Sequence, residues 1–171
     1  MSPEASKEQR IERVSKKAGD DEELSVNCAQ GTLAALMEEF ELGSQPELLK
    51  AATFMPGLMS RKETCGALIG GLMALGLAWG RDKLYDPSWT TPEANEEMFR
   101  IRNKVWSFCE AFKQEFGSTM CGDIRPQIMG RDYDTMDPKE RQQFLEDGGK
   151  TKCRKPPEKA ARFAAEILLE E

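Results

Sequence analysis

The stretch from Thr64 to Gly80, TCGALIGGLMALGLAWG, runs for 17 residues without a charge, between Glu63 and Arg81. At ~1.5 Å per residue a helix of this length reaches only ~25 Å, short of a ~30 Å hydrocarbon core. It contains five glycines. A short apolar helix so rich in glycine reads as the buried central helix of a bundle rather than a membrane span. Gly66 and Gly70 are four apart with Ala74 next, so one strip of this helix lacks bulk. Another backbone, or an inorganic group, can approach closely there.

Working outward, the chain reads as helices separated by Gly and Pro punctuation. Ile11, Val14 and Ala18 are spaced three and four apart and predict a short amphipathic helix inside a charged N-terminal arm, residues 1–23. Ser25 is the expected N-cap of the next helix, whose apolar positions Ala29, Leu33, Leu36, Met37 and Phe40 lead to a stop at Gly43. Pro46 opens a short helix through Phe54, and Ser60 with Glu63 matches a capping box ahead of the central helix. After it, DPSWTTPE breaks the chain, with Thr91 as N-cap and Pro92 at the first helical position. The longest helix carries the stripe Met98, Ile101, Val105, Phe108, Phe112 and Phe116 and stops at Gly117. A short helix or turn after Ser118, an irregular stretch from Arg125 to Asp137, a weak helix over 138–146 and a break at Gly148-Gly149 follow. Pro156 and Pro157 then open a last helix with Ala160, Phe163, Ala164, Ile167 and Leu168 inward. No stretch alternates as a strand does. The expected fold is an all-α, single-domain bundle of about five or six helices, with a glycine-rich buried central helix and residues 24–171 as its main domain.

Composition narrows the chemistry. The chain has 171 residues, 24 Lys and Arg against 30 Asp and Glu, and no histidine. Without histidine there is no Ser-His or Cys-His nucleophile pair, no imidazole metal site and no His-ligated haem. A stand-alone substrate-converting enzyme is not expected, since no acid/base constellation is recognisable. The net charge of -6 argues against nucleic acid as a partner. The opening MSPEASKEQRIERVSKKAGDDEE has no apolar core of a signal, so the expected compartment is the cytoplasm. Five cysteines and nine methionines remain as soft, redox-active side chains. Met55, Met59 and Met73 read as gap-filling core, and Asp132, Asp134 and Asp137 as turn residues.

Cys28, Cys65, Cys121 and Cys153 fall near the starts of helices, where free N–H groups and the helix dipole favour negative sulfur. Lys150, Lys152, Arg154 and Lys155 surround Cys153 and should lower its pKa further. That basic run is equally an ordinary solvated loop or a docking surface. Separations of 37, 56 and 32 residues between successive cysteines of the four match no local zinc or ferredoxin spacing. Each thiol taken alone also reads as a small core hydrophobe, as Cys109 does between Val105 and Phe112 on the long helix.

The combination of NCAQGTLAALMEEF, ETCGALIGGLMALGL, a later Cys after an FGS turn and a final Cys ahead of the last helix resembles the C_GCAxxG_C_C family of redox-active proteins. The most specific element is Cys65-Gly66-Ala67-Leu68-Ile69-Gly70. The family name writes the glycine before the cysteine, whereas here Thr64 precedes Cys65 and Gly66 follows it. The resemblance carries the four family cysteines onto Cys28, Cys65, Cys121 and Cys153, leaves Cys109 without a counterpart, and implies a small redox domain.

Four thiolates without histidine suit a [2Fe–2S] or [4Fe–4S] cluster or structural zinc, and only the clusters move electrons. The glycine strip favours a cluster. The expectation is an iron–sulfur electron carrier working with a redox partner protein. The alternatives are a metal-free thiol–disulfide protein and a zinc-stabilised or metal-free interaction module. The glycine-strip helix can also pack against a copy of itself, as a homodimer.

Overall fold

The computed structural model describes residues 5–43, 46–85, 91 and 95–170. Among them the chain forms nine right-handed helices and one left-handed turn, with an isolated Thr64–Met120 bridge as the only β pairing. The helices are α1 (Lys7–Ser25), α2 (Cys28–Glu39), α3 (Pro46–Ala51), α5 (Gly66–Trp79), α6 (Asn95–Phe116), α7 (Cys121–Met129), α8 (Pro138–Glu146), α9 (Gly149–Lys152) and α10 (Lys155–Leu168), and α4 (Gly57–Ser60) is the left-handed turn. The architecture is all-α. The helix number exceeds five or six because pieces such as the four-residue α9 are too short to show a periodicity.

The Thr64–Gly80 stretch forms α5, the central helix, packed against α2 and α10 with α6 beside it. Its small-residue strip faces α2. A Cβ on Gly70 would lie 2.5 Å from the Ala29 carbonyl oxygen and 3.2 Å from Leu33 N, so α2's backbone occupies the space that the glycine leaves. The helix expected in the N-terminal arm is a 19-residue α1, opened by a capping box between Ser6 and Gln9. It lies on α2 and α10, and its Ile11, Val14 and Ala18 enter the same core as Leu33, Leu75, Phe108, Phe112 and Ala164.

Several helix starts differ from those expected. Val26, at φ 52°, ends α1, and Asn27 rather than Ser25 caps α2 by accepting from Gln30 N–H. Ser25 Oγ instead donates back to the Asp21 carbonyl. No capping box precedes α5: Cys65 is its N-cap, without a side-chain bond, while Ser60 sits at φ 62° in the left-handed turn. Arg125 does not begin an irregular stretch, because α7 continues through Pro126 to Met129 before Gly130 turns the chain. The 138–146 helix and the last helix lie where expected, and Gly117 ends α6 at φ 71°. Pro92 lies outside the described residues. Met59 is 48% exposed rather than core.

A second apolar cluster, Met129, Tyr133 and Phe144, lies under α7, α8 and α9. Four of the five cysteines gather between it and the main core.

Candidate redox site

Cys28 is the first residue of α2, Cys65 the N-cap of α5, Cys121 the first residue of α7, and Cys153 the joint between α9 and α10. All four line one cavity of about 110 Å³, with Glu22, Lys62, Arg125, Ile128 and Phe144 among its other walls. Cys109 is elsewhere, half-buried in a groove with Trp79 and Trp106 between α5 and α6.

Backbone hydrogen bonds set two of the four. Cys65 N–H donates to Thr119 O at 2.8 Å and Cys121 N–H to Glu63 O at 2.7 Å, tying the two cysteine loops together across the Thr64–Met120 bridge. Glycine sets the close approaches. A Cβ at Gly66 would stand 2.5 Å from Cys28 Sγ and 2.9 Å from Pro56 Cα, so the residue after Cys65 has to be the smallest for Cys28 to reach the cavity. A Cβ at Gly57 would stand 3.3 Å from Cys121 Cβ. Gly57 opens the left-handed turn, in which Leu58, Met59 and Ser60 have φ of 38°, 60° and 62°. Such a conformation costs roughly 1–2 kcal/mol per non-glycine residue. Strain of this kind is common beside functional sites.

The thiols are not alike. Cys28 donates a hydrogen bond to Cys65, which lowers Cys65 against its burial, helped by the N–H groups of Ala67 and Leu68 at the start of α5. The same bond, burial and the neighbouring charges push Cys28 well up. Burial pushes Cys121 up to about 11 and Cys153 up to about 12, and the other sulfurs and Glu22 add to both shifts. The lowering expected at every helix start therefore occurs at Cys65 only. The basic run does not activate Cys153, because the Arg154 guanidinium turns to Asp20, Glu23 and Glu158 at 2.7, 2.6 and 3.2 Å, and Lys150, Lys152 and Lys155 are exposed.

Two buried charged groups, besides the partly exposed Lys62, complete the cavity. Glu22 is 4% exposed and its Oε2 has no hydrogen-bond partner, and burial raises its carboxyl to about 8. Arg125 is 8% exposed; its guanidinium donates to Asp132 Oδ1 and the Tyr133 carbonyl, and Nε is left without a partner. Neither belongs to a recognisable sequence motif. Each had a helical signal: Glu22 continues the Ile11, Val14, Ala18 stripe as its lone charge, and Arg125 follows Cys121 by four residues on one face of α7.

Asp132 latches the rim, bonding Lys62 from one side and Arg125 from the other. Desolvation pulls its carboxyl up, but the hydrogen bonds from Lys62, Arg125 and Tyr133 N–H win and hold it at about 2, below the ordinary 3.8. A carboxylate lowered on folding adds stability above its unfolded value and loses it as pH falls through the folded one. The acid-unfolding curve should therefore carry a step between about pH 4 and pH 2 that Asp132→Asn removes. With Asp132 45% exposed, the step is at most about 1 kcal/mol.

The donor chemistry and shape of the cavity fit an iron–sulfur group. Four sulfurs face it, one carboxylate oxygen and one guanidinium N–H on its walls lack partners, and the cradle beside Cys28 would be filled by a single Cβ at Gly66. Among the described residues no three His, Cys, Asp or Glu side chains are close enough to grip one metal ion. Among the same residues no helix is long and apolar enough to cross a membrane. No curated protein and no solved structure matches the chain. Residues 26–167 match the family described as "Putative redox-active protein (C_GCAxxG_C_C)", a span that holds all four cavity cysteines. The chain belongs to the C_GCAxxG_C_C family.

Proposed function

We propose that the protein is an electron carrier that holds an iron–sulfur cluster between Cys28, Cys65, Cys121 and Cys153. The observation that carries this reading is the convergence of four thiols from four separate helix starts and joints on one cavity. Burial and the neighbouring groups push three of these thiols up, so they stay protonated until a bound metal displaces their protons. A bound cluster supplies one-electron chemistry there. The protein's part is to fix four sulfurs, to exclude water with Ile124, Ile128 and Phe144, and to place the Arg125 cation beside Cys121 and Cys153.

The test is anaerobic reconstitution with iron and sulfide, read by visible absorption and by iron, sulfide and zinc analysis. Broad visible absorption bleached by dithionite, retained in Cys109→Ser and lost in Cys65→Ser, is the expected result. A colourless wild-type protein without iron overturns the reading.

One observation favours a second reading. Cys28 and Cys65 already share a hydrogen bond, with Cys65 the more acidic member. A dithiol so arranged can reduce a partner disulfide, closing its own S–S bond as the partner gains two thiols. This reading predicts metal-free protein that loses two free thiols on oxidation, and loses none in Cys28→Ser.

A further inference from the structure

Glu22 is the only carboxylate among the described residues lining the cysteine cavity. It arrives from α1, one turn beyond Ala18, and is 4% exposed. Its Oε2 is left without a hydrogen-bond partner. The two cations of the wall do not serve it, since Lys62 and Arg125 both bond Asp132. Its charge nevertheless reaches all four sulfurs. A buried carboxylate oxygen without a donor or a cation is costly to keep. None of the neighbouring thiols supplies it a hydrogen bond.

We propose that Glu22 is a fifth donor of this site, offering Oε2 as an oxygen ligand to one metal ion of the group that the four sulfurs hold. The inference rests on the iron–sulfur reading above. A hard oxygen added to four soft sulfurs makes one metal position chemically unlike the rest. The carboxylate thereby gains the cation that its burial requires.

The experiment uses the full chain, produced with glutamate labelled at its side-chain carboxyl with a magnetic carbon isotope and reconstituted anaerobically with iron and sulfide. Electron–nuclear double resonance of the reduced protein reads whether a labelled carboxyl touches the metal, and Mössbauer spectra read whether one iron differs from the others. The expected result is a carbon coupling and one distinct iron in the wild-type protein, both lost in Glu22→Gln with iron and sulfide content retained. The wild-type spectrum decides even if the variant does not fold. Iron uptake without a carbon coupling overturns the assignment of Glu22 and leaves the iron–sulfur reading standing. No iron uptake at all overturns the iron–sulfur reading, and the assignment of Glu22 with it.

Discussion

Gly70→Val is expected to cost about 4 kcal/mol or more, shifting the urea midpoint far enough to unfold much of the chain, where overpacking usually costs ~1–3 kcal/mol. The reason is what the new atoms would meet. A Cβ at Gly70 lies 2.5 Å from the Ala29 carbonyl oxygen, 3.0 Å from Thr32 Cβ and 3.2 Å from Leu33 N. Two of these are backbone atoms of α2 and cannot swing aside as a side chain can. Relief requires moving α2 off α5, and with it Cys28 away from Cys65. Gly76→Ala, on the same helix, is the contrasting case. Nothing lies within 4 Å of its Cβ position, so replacing a helical glycine there should stabilise by ~0.5–1 kcal/mol. Equal effects of the two substitutions in a denaturation series would refute this account of the glycine strip.

Arg125→Met is the second large effect, about 2–4 kcal/mol of lost stability with little change in volume. Arg125 is a buried cation that holds the Tyr133 carbonyl and Asp132 together. Tyr133 is itself fixed by its hydroxyl, which donates to Asp147 Oδ2 at 2.6 Å, and by edge contact with Phe144. Without the guanidinium, a carbonyl of the second apolar cluster loses its donor and the rim latch at Asp132 keeps only Lys62 and the Tyr133 N–H. Loss of a cation beside Cys121 and Cys153 also disfavours the more negative, reduced state of the sulfurs, so the reduction potential should fall. A variant as stable as the wild type, with an unchanged potential, would show that Arg125 is dispensable to the fold and to the proposed cluster.

Much of the fold was legible because it rests on local signals. The hydrophobic periods of α2, α5, α6 and α10, the glycine stop at Gly117 and the prolines opening α8 and α10 are properties of a few neighbouring residues. The small-residue strip was legible too, although which backbone would approach it was not. Where a start was misplaced, two local signals competed. Ser25 and Asn27 are both good N-caps, and the left-handed Val26 between them decides for Asn27. The turn Gly57–Ser60 had a Pro-Gly signal for a break, but no local rule puts Leu58, Met59 and Ser60 at positive φ.

What the sequence by itself determined is an all-α chain with a glycine-faced central helix, no histidine chemistry, and four cysteines set apart from Cys109. Each of these follows from composition, short-range spacing or the family's cysteine pattern. Only the tertiary structure brought Cys28, Cys65, Cys121 and Cys153 to one cavity, placed Glu22 and Arg125 on its walls, and turned Arg154 away to Asp20, Glu23 and Glu158. It also reversed the expected acidity of three thiols. A helix start lowers a thiol over one turn, whereas desolvation and the charges of residues distant in sequence depend on what packs around it, and here those outweigh the helix ends everywhere but at Cys65.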